Sequence, residues 1–491
     1  MEKIGIVGAG TMGGGIGQVA AAHGHLVTLY DSQPGAAEAM IQGIIQRLER
    51  WTISGRVDES DAKAIIDRLS FAASLEGLAA SELVIEAVSE DLPLKQKVFA
   101  ALEEIVGTET IIASNTSSLS ITEIAAGLRS PERVVGMHFF NPAPIMKLVE
   151  IVSGDLTNPD VAKRCFDLVR GWDKHPVMCH SHPGFVGNFV NRPFYLEAVR
   201  IREEGIADER TIDELMVRAA GFRMGPFELM DLVGVDVNLA VSEAVWNALG
   251  RDPRFEPSGI QRTMVKLGKL GRKTRHGFYP YEDVNVSPRP RIVPPGASTT
   301  SIRIGPTSGG LHELVDRARA NDIVVNTGAE IDGIEVDDVR LTLSDGFTAR
   351  EHTMGSAIPA VLVDWAHDLS TTSSLGIASD VPRALPSAAG FLHQIGIEAL
   401  HLNDSSGLVV GRIMSSLINL AAEAHAKNVA SREDIDTAML LGFNYPEGPL
   451  SWGRRLGPGV VHAILRHMGD HLDKGRYGPT EELEAALATS T

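Results

Sequence analysis

Residues 138–150, HFFNPAPIMKLVE, hold a histidine and a glutamate within otherwise apolar sequence. His138 ends the strand-like run VVGM, and Glu150 lies in the next run, KLVEIV, so both can project from one edge of a sheet. The Asn-Pro and Ala-Pro pairs between them exclude a continuous helix. An imidazole held by a carboxylate can accept a proton near neutral pH, which predicts acid–base chemistry here. A hydrogen-bonded core histidine is the alternative, and the rest of the chain has to decide between them.

A nucleotide-binding pattern lies upstream, in residues 4–31, IGIVGAGTMGGGIGQVAAAHGHLVTLYD. It contains a short strand, a glycine turn, an alanine-rich helix, a second strand and an acid. In its GxGxxG motif the first glycine allows a tight turn, the second lets a pyrophosphate approach, and the third lets helix and strand pack closely. We expect this loop to bind a pyrophosphate at the helix N-terminus. Its residues are Gly8, Gly10, Thr11, Met12 and Gly13.

The acid that follows the second strand is Asp31. It lies about 20 residues beyond the glycine loop, where a carboxylate accepts hydrogen bonds from the ribose 2′-OH. Its neighbours Ser32 and Gln33 offer no cation to neutralise a 2′-phosphate. The sequence therefore predicts NAD as the cofactor rather than NADP.

Two further strand-like runs, ELVIEAV and TIIAS, end close to polar residues. Strands separated by helices form parallel sheets, whose ligands gather at the carboxyl ends of the strands. We therefore expect these polar side chains near His138, with Asn115 and Ser117 contacting the cofactor. The NTSS run can instead cap a helix near Ile121, and we prefer that role for Ser118 or Ser120. The polar residues after the two runs are Glu90, Lys95, Asn115 and Ser117.

Helical patterns cover residues 36–70 and begin again after Pro183. In GFVGNFVNRPFYLEAVRIREEG the apolar residues recur at helical spacing, so the asparagines Asn188 and Asn191 lie on or beside the buried face. Lys273 lies in a basic, glycine-punctuated loop, GKLGRKTRHGFY. The strand pattern therefore gives way to an all-helical domain.

The helical domain is repeated further along the chain. The segment from Gly184 to the Gly-Pro pair at 225–226 matches the segment from Gly407 to the Gly-Pro pair at 448–449 at a constant spacing of 223 residues. Constant spacing over several anchors indicates a duplication. The copy has no HFFNP segment, so we expect one active site. Residues 281–395, between the copies, begin with a Pro/Ser/Thr-rich linker and then show strand and helix patterns without GxGxxG, as in a decayed nucleotide-type fold.

These patterns predict an α/β Rossmann dinucleotide-binding domain followed by all-α domains, with the helical C-terminal domain duplicated. The boundaries are residues 1–182 for the Rossmann domain, 183–280 for the first helical domain, 281–395 for the linker and degenerate α/β segment, and 396–491 for the second helical copy.

Composition limits the partners and the compartment. The net charge of −18 over 491 residues argues against nucleic acid or an anionic membrane surface as partner. Cys165 and Cys179 are too few for a disulfide framework, so we expect free thiols and a cytoplasmic protein. We see no export signal, no apolar run long enough for a membrane span and no metal-ligand pattern, and we expect none of these.

Several blocks in one order resemble the L-3-hydroxyacyl-CoA dehydrogenase family, in its long bacterial form with a duplicated C-terminal domain. They are GAGTMG, SNTSSLSI, HFFNP, KLVE, PGFVGN, GPFELMD, GRKTRHGFY, DIDTAM and GPLSWG. The resemblance implies NAD-dependent oxidation of (S)-3-hydroxyacyl-CoA to 3-oxoacyl-CoA. The implied acyl group is adipyl, in the breakdown of aromatic acids such as phenylacetate, or butyryl, as in β-oxidation. A monomer and a homodimer both fit the duplication.

The resemblance also implies residue roles. His138 is then the base, Glu150 its orienting carboxylate, and Ser117 and Asn188 bind the substrate. Cofactor positions fall on Glu90, Lys95, Asn141 and Lys273.

The chain departs from the family pattern at two places. VGNF at 186–189 replaces the family's Ile-Val-Asn-Arg, so Asn191, which forms a second Asn-Arg pair, stays an alternative to Asn188. Arg56 lies where relatives often have a lysine for the CoA phosphates, a role that arginine can also fill.

Two other functions remain open at this point. One is a 3-hydroxyacid dehydrogenase that acts on free acids through a catalytic lysine, and the other is a non-catalytic, crystallin-like NAD-binding protein.

Overall fold

The computed structural model describes residues 2–281, 289–329, 332–481 and 483–487. Residues 282–288, at the start of the predicted linker, lie outside the described part. The chain forms two compact units. The first contains Met1–Phe189 and Lys427–Phe443, and the second contains Val190–Ala426 and Asn444–Thr491. The predicted domain boundaries at 182, 280 and 395 stay predictions.

The first unit is built on an eight-stranded sheet of order β3-β2-β1-β4-β5-β6-β7-β8. Neighbouring strands are parallel except β6 and β7, which run antiparallel because a loop rather than a helix connects them. The buried side chains of β1, β4 and β5 lie in its core. The strands are β1 (Lys3–Val7), β2 (Leu26–Tyr30), β3 (Leu69–Phe71), β4 (Leu83–Glu86), β5 (Ile111–Ser114), β6 (Val134–Phe139), β7 (Leu148–Ser153) and β8 (His175–His180).

Helices cover this sheet, as the alternation of strand and helix patterns predicts. They are α1 (Thr11–Ala22), α2 (Ala36–Ile53), α3 (Glu59–Asp67), α4 (Leu92–Ile105), α5 (Ile121–Ala125) and α6 (Pro159–Arg170). The short helix α7 (Gly187–Val190) crosses the division between the units. Ser120 accepts a hydrogen bond from the Glu123 N–H at the start of α5, so the predicted capping role is confirmed.

Residues 36–70, predicted to be helical, form the two helices α2 and α3, and the prediction is wrong only between and after them. Gly55, at φ +69°, lies in the turn that follows α2, and the last residues form the edge strand β3. Only three residues pair there with β2, through a register that runs from Leu69 to Phe71. A strand this short carries no periodic signal of its own, because pairing with β2 defines it.

The second unit contains a seven-stranded sheet of order β10-β9-β11-β12-β13-β14-β15. This order is the same as that of the first sheet from β2 to β8, and β3 has no counterpart. The segment between the helical copies, predicted to be α/β, therefore forms a sheet of Rossmann-like strand order. Here β11 pairs antiparallel with both its neighbours, because a hairpin replaces a helical crossover. The strands are β9 (Ser301–Ile304), β10 (Val324–Thr327), β11 (Ile334–Val336), β12 (Val339–Leu343), β13 (Ala360–Val363), β14 (Ser374–Ala378) and β15 (Glu398–His401).

Fourteen helices follow α7 in the described residues. Those of the first copy are α8 (Arg192–Glu203), α9 (Glu209–Arg218), α10 (Pro226–Val233), α11 (Val235–Ala248) and α12 (Gly259–Lys266). Those of the second sheet are α13 (His312–Ala320), α14 (Ala349–Thr353) and α15 (Leu385–Gln394). Those of the second copy are α16 (Val410–Ala426), α17 (Arg432–Phe443), α18 (Pro449–Leu456), α19 (Pro458–His471), α20 (Lys474–Tyr477) and α21 (Leu483–Leu487).

The helix bounds confirm the predicted duplication. Helices α10 and α18, and likewise α11 and α19, begin and end 223 residues apart. Gly234 and Gly457 precede the second helix of each pair, both at positive φ, +110° and +96°. The predicted Rossmann fold followed by duplicated helical domains is therefore confirmed.

The two copies nevertheless pack differently. Helix α9 of the first copy packs against β14 in the second unit. Its counterpart α17 belongs to the first unit, where it packs against β7 and β8, and the preceding Val429 carbonyl accepts the His180 N–H. The first sheet thus packs against a helix of the second copy, and the second sheet packs against a helix of the first copy.

Within the second unit, a buried arginine joins α8 to α16. Arg412 is fully buried and donates to Glu197 Oε2 at 2.9 Å, to both oxygens of Glu204 at 2.6 and 2.8 Å, and to the Tyr477 hydroxyl at 2.6 Å. Arg200 also pairs with Glu197. Each charge at this junction is therefore compensated.

Replacing Arg412 with methionine is expected to destabilise the second unit by about 3–5 kcal/mol, because it leaves carboxylates without their buried partner. The shift of the urea unfolding midpoint measures the loss. Arg455, which pairs with Glu447 at the surface, is the matched control, and Arg455→Met should cost less than about 1 kcal/mol. Equal losses for the two variants would contradict the assignment.

Both cysteines are buried free thiols, as predicted. In the described part of the chain, no helix is long and apolar enough to cross a membrane.

Candidate active site

His138 and Glu150 face each other across the antiparallel pair β6–β7. His138 Nδ1 lies 2.6 Å from Glu150 Oε2, and both side chains are buried. An ionised carboxylate only accepts hydrogen bonds, so Nδ1 carries the proton and Nε2 has the free lone pair. The pair predicted from the sequence therefore forms with the geometry that a proton-accepting histidine needs.

The second oxygen of Glu150 holds the start of helix α7. Glu150 Oε1 accepts the backbone N–H groups of Val186 at 3.1 Å and Gly187 at 2.8 Å. Asn188 is the next residue on this helix. One carboxylate therefore fixes both the histidine and the backbone that carries Asn188.

Aromatic rings enclose the histidine. The Phe140 ring lies 4.5 Å and the Phe185 ring 5.8 Å from the imidazole, centre to centre. Phe443 of α17 packs edge-on against Phe140 at 5.6 Å. The apolar surroundings exclude water from the His138–Glu150 pair and strengthen its hydrogen bond.

Glu90 organises the loop that carries Ser117. Its Oε1 accepts hydrogen bonds from the Thr116 hydroxyl, from Ser117 through N–H and hydroxyl, and from Ser118 through N–H and hydroxyl. Burial opposes ionisation, but Lys95 and these donors lower the pKa of Glu90 below its ordinary value. We call residues 115–118 the Ser117 loop.

Beneath this loop lies an ion pair that the sequence reasoning missed. Glu86, the last residue of β4, is fully buried, and its Oε1 accepts Lys95 Nζ at 2.6 Å. Lys95 Nζ also lies 3.3 Å from the Val88 carbonyl and 3.4 Å from Glu90. The only sequence signal for this site is one carboxylate inside the apolar run ELVIEAV, because a buried charge requires a partner.

The glycine loop connects β1 to α1 as predicted. A Cβ on Gly13 would lie 1.8 Å from the Gly8 carbonyl, so helix and strand can approach only with glycine there. A Cβ on Gly10 would meet no atom within 4 Å, which leaves open space beside the N-terminus of α1. Asp31 holds the loop from the end of β2, with Oδ2 2.7 Å from the Ala9 N–H. The open backbone and the carboxylate fit the pyrophosphate and ribose of NAD.

Two predicted cofactor residues lie around β6. Asn115 follows β5, and its side-chain oxygen accepts the Phe139 N–H at 2.8 Å, which joins β5 to β6 beside the histidine. Asn141 is exposed in the loop after β6. A second missed residue, Lys174, supports this loop by donating to the carbonyls of Ala143 and Met146, both at 2.7 Å. Burial lowers the pKa of Lys174 to about 8.

Three other candidates are described by their own surroundings. Arg56 is exposed in the turn between α2 and α3. Lys273, in the second unit, pairs with Asp236 at 2.6 Å. Asn191 is buried in the second unit, where its oxygen accepts the Tyr445 hydroxyl at 2.7 Å. This bond gives Asn191 a structural partner in the second unit.

The second sheet has no imidazole at the corresponding place. Asp364 follows β13, opposite Gly376 of β14, as His138 lies opposite Glu150. Its oxygens accept the N–H groups of Trp365 and of the backbone at residues 409–411, where α16 begins. The carboxylate that holds a helix start is thus present in both units, whereas among the described residues only the first unit has a histidine at this strand position.

A Rossmann sheet, a glycine loop held by the Asp31 carboxylate, and a histidine–carboxylate pair at the strand ends are together typical of a nicotinamide-dependent dehydrogenase. Three sequence profiles match the chain. They are the 3-hydroxyacyl-CoA dehydrogenase NAD binding domain over residues 3–182, the C-terminal domain over 184–281 and again 407–490, and the 3-hydroxybutyryl-CoA dehydrogenase reduced Rossmann-fold domain over 341–405. The chain belongs to the 3-hydroxyacyl-CoA dehydrogenase family.

Individual relatives agree with this assignment. The chain is 40% identical to the 3-hydroxyadipyl-CoA dehydrogenase of Escherichia coli K12, over 98% of this chain and 96% of that protein. It is 41% identical to a probable 3-hydroxybutyryl-CoA dehydrogenase of Bacillus subtilis, over 58% of this chain and 98% of that protein. The crystal structure of a 3-hydroxybutyryl-CoA dehydrogenase from E. coli K12 superposes with a TM-score of 0.89 at 38% identity, covering 99% of this chain and 98% of that one.

The protein is therefore an enzyme, an NAD-dependent oxidoreductase of 3-hydroxyacyl-CoA thioesters. The family, the cofactor and the reaction class predicted from the sequence are confirmed.

Proposed function

We propose that this enzyme oxidises its substrate with His138 as the base, Glu150 as the carboxylate that orients it, and Ser117 and Asn188 as the substrate ligands. The single observation that carries this proposal is the 2.6 Å contact between His138 Nδ1 and Glu150 Oε2 within an apolar enclosure. Imidazole Nε2 then takes the proton of the 3-hydroxyl group, and Glu150 stabilises the imidazolium that forms.

Bound NAD supplies the hydride acceptor for carbon 3. Hydrogen bonds that Ser117 and Asn188 make with the hydroxyl and thioester groups hold the substrate in one orientation for the loss of both proton and hydride. Gly10 lets the pyrophosphate approach the backbone, and Asp31 accepts a hydrogen bond from the ribose. Glu90, Lys95, Asn115, Asn141 and Lys273 stay cofactor candidates, and Arg56 stays the candidate for the CoA phosphates.

For the acyl group we propose adipyl, a dicarboxylate. The support is architectural: the E. coli relative named for 3-hydroxyadipyl-CoA matches nearly the whole chain, whereas the Bacillus relative named for 3-hydroxybutyryl-CoA matches little more than half. A full-length E. coli structure carries the butyryl name, so the second sheet and second helical copy occur with both names, and the proposal rests on the 3-hydroxyadipyl-CoA relative.

A specificity profile tests the acyl group. The ratio kcat/KM is measured with the butyryl, hexanoyl and adipyl thioesters of (S)-3-hydroxyacyl-CoA, and we expect the adipyl substrate to lead by at least about tenfold, the discrimination that one desolvated charge contact provides. A butyryl value equal to or above the adipyl value would remove the adipyl proposal and leave the reaction class intact.

Asp31→Ala is expected to raise the KM for NAD by about 10–100-fold with kcat little changed, because a charge-assisted hydrogen bond to the ribose is worth about 1.5–3 kcal/mol. Initial rates at varied NAD measure the effect. The same titration with NADP is the control, and its KM should change far less. A KM for NAD within twofold of wild type would contradict the ribose role.

We also propose a cytoplasmic enzyme that works as a monomer or homodimer. Two buried free thiols suit a reducing compartment. The buried Arg412 junction between α8 and α16 supplies, within one chain, a helix–helix contact that single-copy proteins can obtain by dimerising. Gel filtration with light scattering measures the assembly.

A further inference from the structure

The ion pair between Glu86 and Lys95 lies under the Ser117 loop, and Glu86 has no role in the residue assignments above. Both side chains are almost completely shielded from solvent. Burying two charges is costly, so such a pair is weak evidence of a stabilising role. The contacts of the two residues indicate what its role is.

Glu86 reaches the Ser117 loop through Ser114, the last residue of β5. Glu86 Oε2 accepts the Ser114 hydroxyl at 2.6 Å, and the Ser114 oxygen in turn accepts the Thr116 N–H at 3.2 Å. The Glu86 carbonyl also accepts the Asn115 N–H at 2.8 Å. The beginning of the loop is therefore fixed to β4 by two routes.

Lys95 reaches the same loop from the opposite side, through Glu90. Its ammonium group has three acceptors within 3.4 Å: Glu86, the Val88 carbonyl and Glu90. Glu90 in turn accepts from Thr116, Ser117 and Ser118. The first two contacts of Lys95 are hydrogen bonds and the third is an ion pair, so Lys95 links Glu86 to Glu90.

These contacts close a ring that runs from Lys95 through Glu86, Ser114, Thr116 and Glu90 back to Lys95. We propose that Glu86 is a positioning residue for the dehydrogenation: through Ser114 and Lys95 it holds the Ser117 loop and Glu90 in the arrangement that aligns the Ser117 hydroxyl with the substrate. This inference rests on the proposed substrate role of Ser117. It gives Lys95 a second role, the support of Glu90, beside its place among the cofactor candidates.

The test uses two variants of the full-length enzyme. Glu86→Gln removes the charge, and because loss of one partner of a buried ion pair destabilises a fold, its folding is checked first by thermal melting. Ser114→Ala removes only the hydroxyl that connects Glu86 to the loop, at a position where alanine fits. Ser114→Ala therefore decides the matter even if Glu86→Gln does not fold.

We expect kcat to fall about tenfold in Ser114→Ala and about 10²-fold in Glu86→Gln, because small displacements of positioning groups lower rates by such factors. The amide protons of residues 116–118 should exchange about tenfold faster with deuterium in both variants. The matched control is Glu103→Gln, since Glu103 is a largely buried carboxylate on α4 that accepts the N–H groups of Arg129 and Ser130. It should lower Tm but leave kcat within twofold.

A kcat of Ser114→Ala within twofold of wild type would overturn the positioning role, whatever happens to Tm. The positioning role is also overturned if Glu86→Gln lowers kcat no more than Glu103→Gln does. The assay includes His138→Gln as a separate arm. Retained turnover in that variant defeats the proposed base, whereas the Ser114→Ala and Glu86→Gln results alone decide the positioning role.

Discussion

Replacing His138 with glutamine is expected to lower kcat by about 10²–10⁴-fold, the usual contribution of an acid–base group. Glutamine is close in size and can still donate a hydrogen bond to Glu150, but it cannot take up the hydroxyl proton. NAD affinity should change little, because the glycine loop and Asp31 belong to other strand ends. NADH formation at saturating substrate measures kcat, and fluorescence titration measures NAD binding.

The matched control is His25→Gln. His25 is also a hydrogen-bonded histidine of the first unit, with Nε2 3.0 Å from the Trp172 indole nitrogen. Its loss should lower Tm and leave kcat within about twofold. If His138→Gln kept turnover within tenfold of wild type, His138 would not be the base.

Glu150→Gln is expected to produce the second large effect, on rate and on stability together. Glu150 is fully buried and accepts from three donors, His138 Nδ1 and two backbone N–H groups. A carboxamide has one acceptor oxygen, so its NH2 group must face either the backbone donors or Nδ1. The first arrangement costs about 1–3 kcal/mol in unsatisfied buried groups. The second forces the proton onto Nε2, which removes the base.

We therefore expect kcat to fall about 10²–10⁴-fold in Glu150→Gln, together with a lower Tm. The double variant His138→Gln/Glu150→Gln separates the two effects. Because Glu150 acts on the chemistry through His138, the double variant should be no slower than His138→Gln, while its Tm falls further. Fully multiplicative rate losses would mean that Glu150 acts on the reaction independently.

The first Rossmann unit and its chemistry could be predicted because local sequence encodes them. The strand–glycine loop–helix pattern fixes the cofactor end, and His138 and Glu150 each lie within a strand-like run, so the pairing of β6 with β7 was enough to bring them together. The duplication could be predicted because its spacing is constant. The features that were predicted wrongly or not predicted depend on contacts with residues that are distant in the sequence.

Three examples show why. Strand β3 exists only through its pairing with β2, so residues 36–70 resemble helix throughout. Helix α17 joins the first unit although its counterpart α9 packs in the second, and two similar sequences cannot reveal different packing partners. Glu86 could have been found, since a carboxylate in an apolar strand needs a cation and Lys95 follows nine residues later, but only the fold shows that its other oxygen holds Ser114.

The most direct test of the account compares one hydroxyacid with and without its CoA thioester. The wild-type enzyme is given NAD and either (S)-3-hydroxybutyryl-CoA or free (S)-3-hydroxybutyrate at equal concentration, and NADH formation is followed by absorbance. The account predicts rapid NADH formation from the thioester and a rate on the free acid lower by at least about 10²-fold, because the contacts to CoA are lost. Equal rates on the two compounds, or no NADH from the thioester, would contradict it.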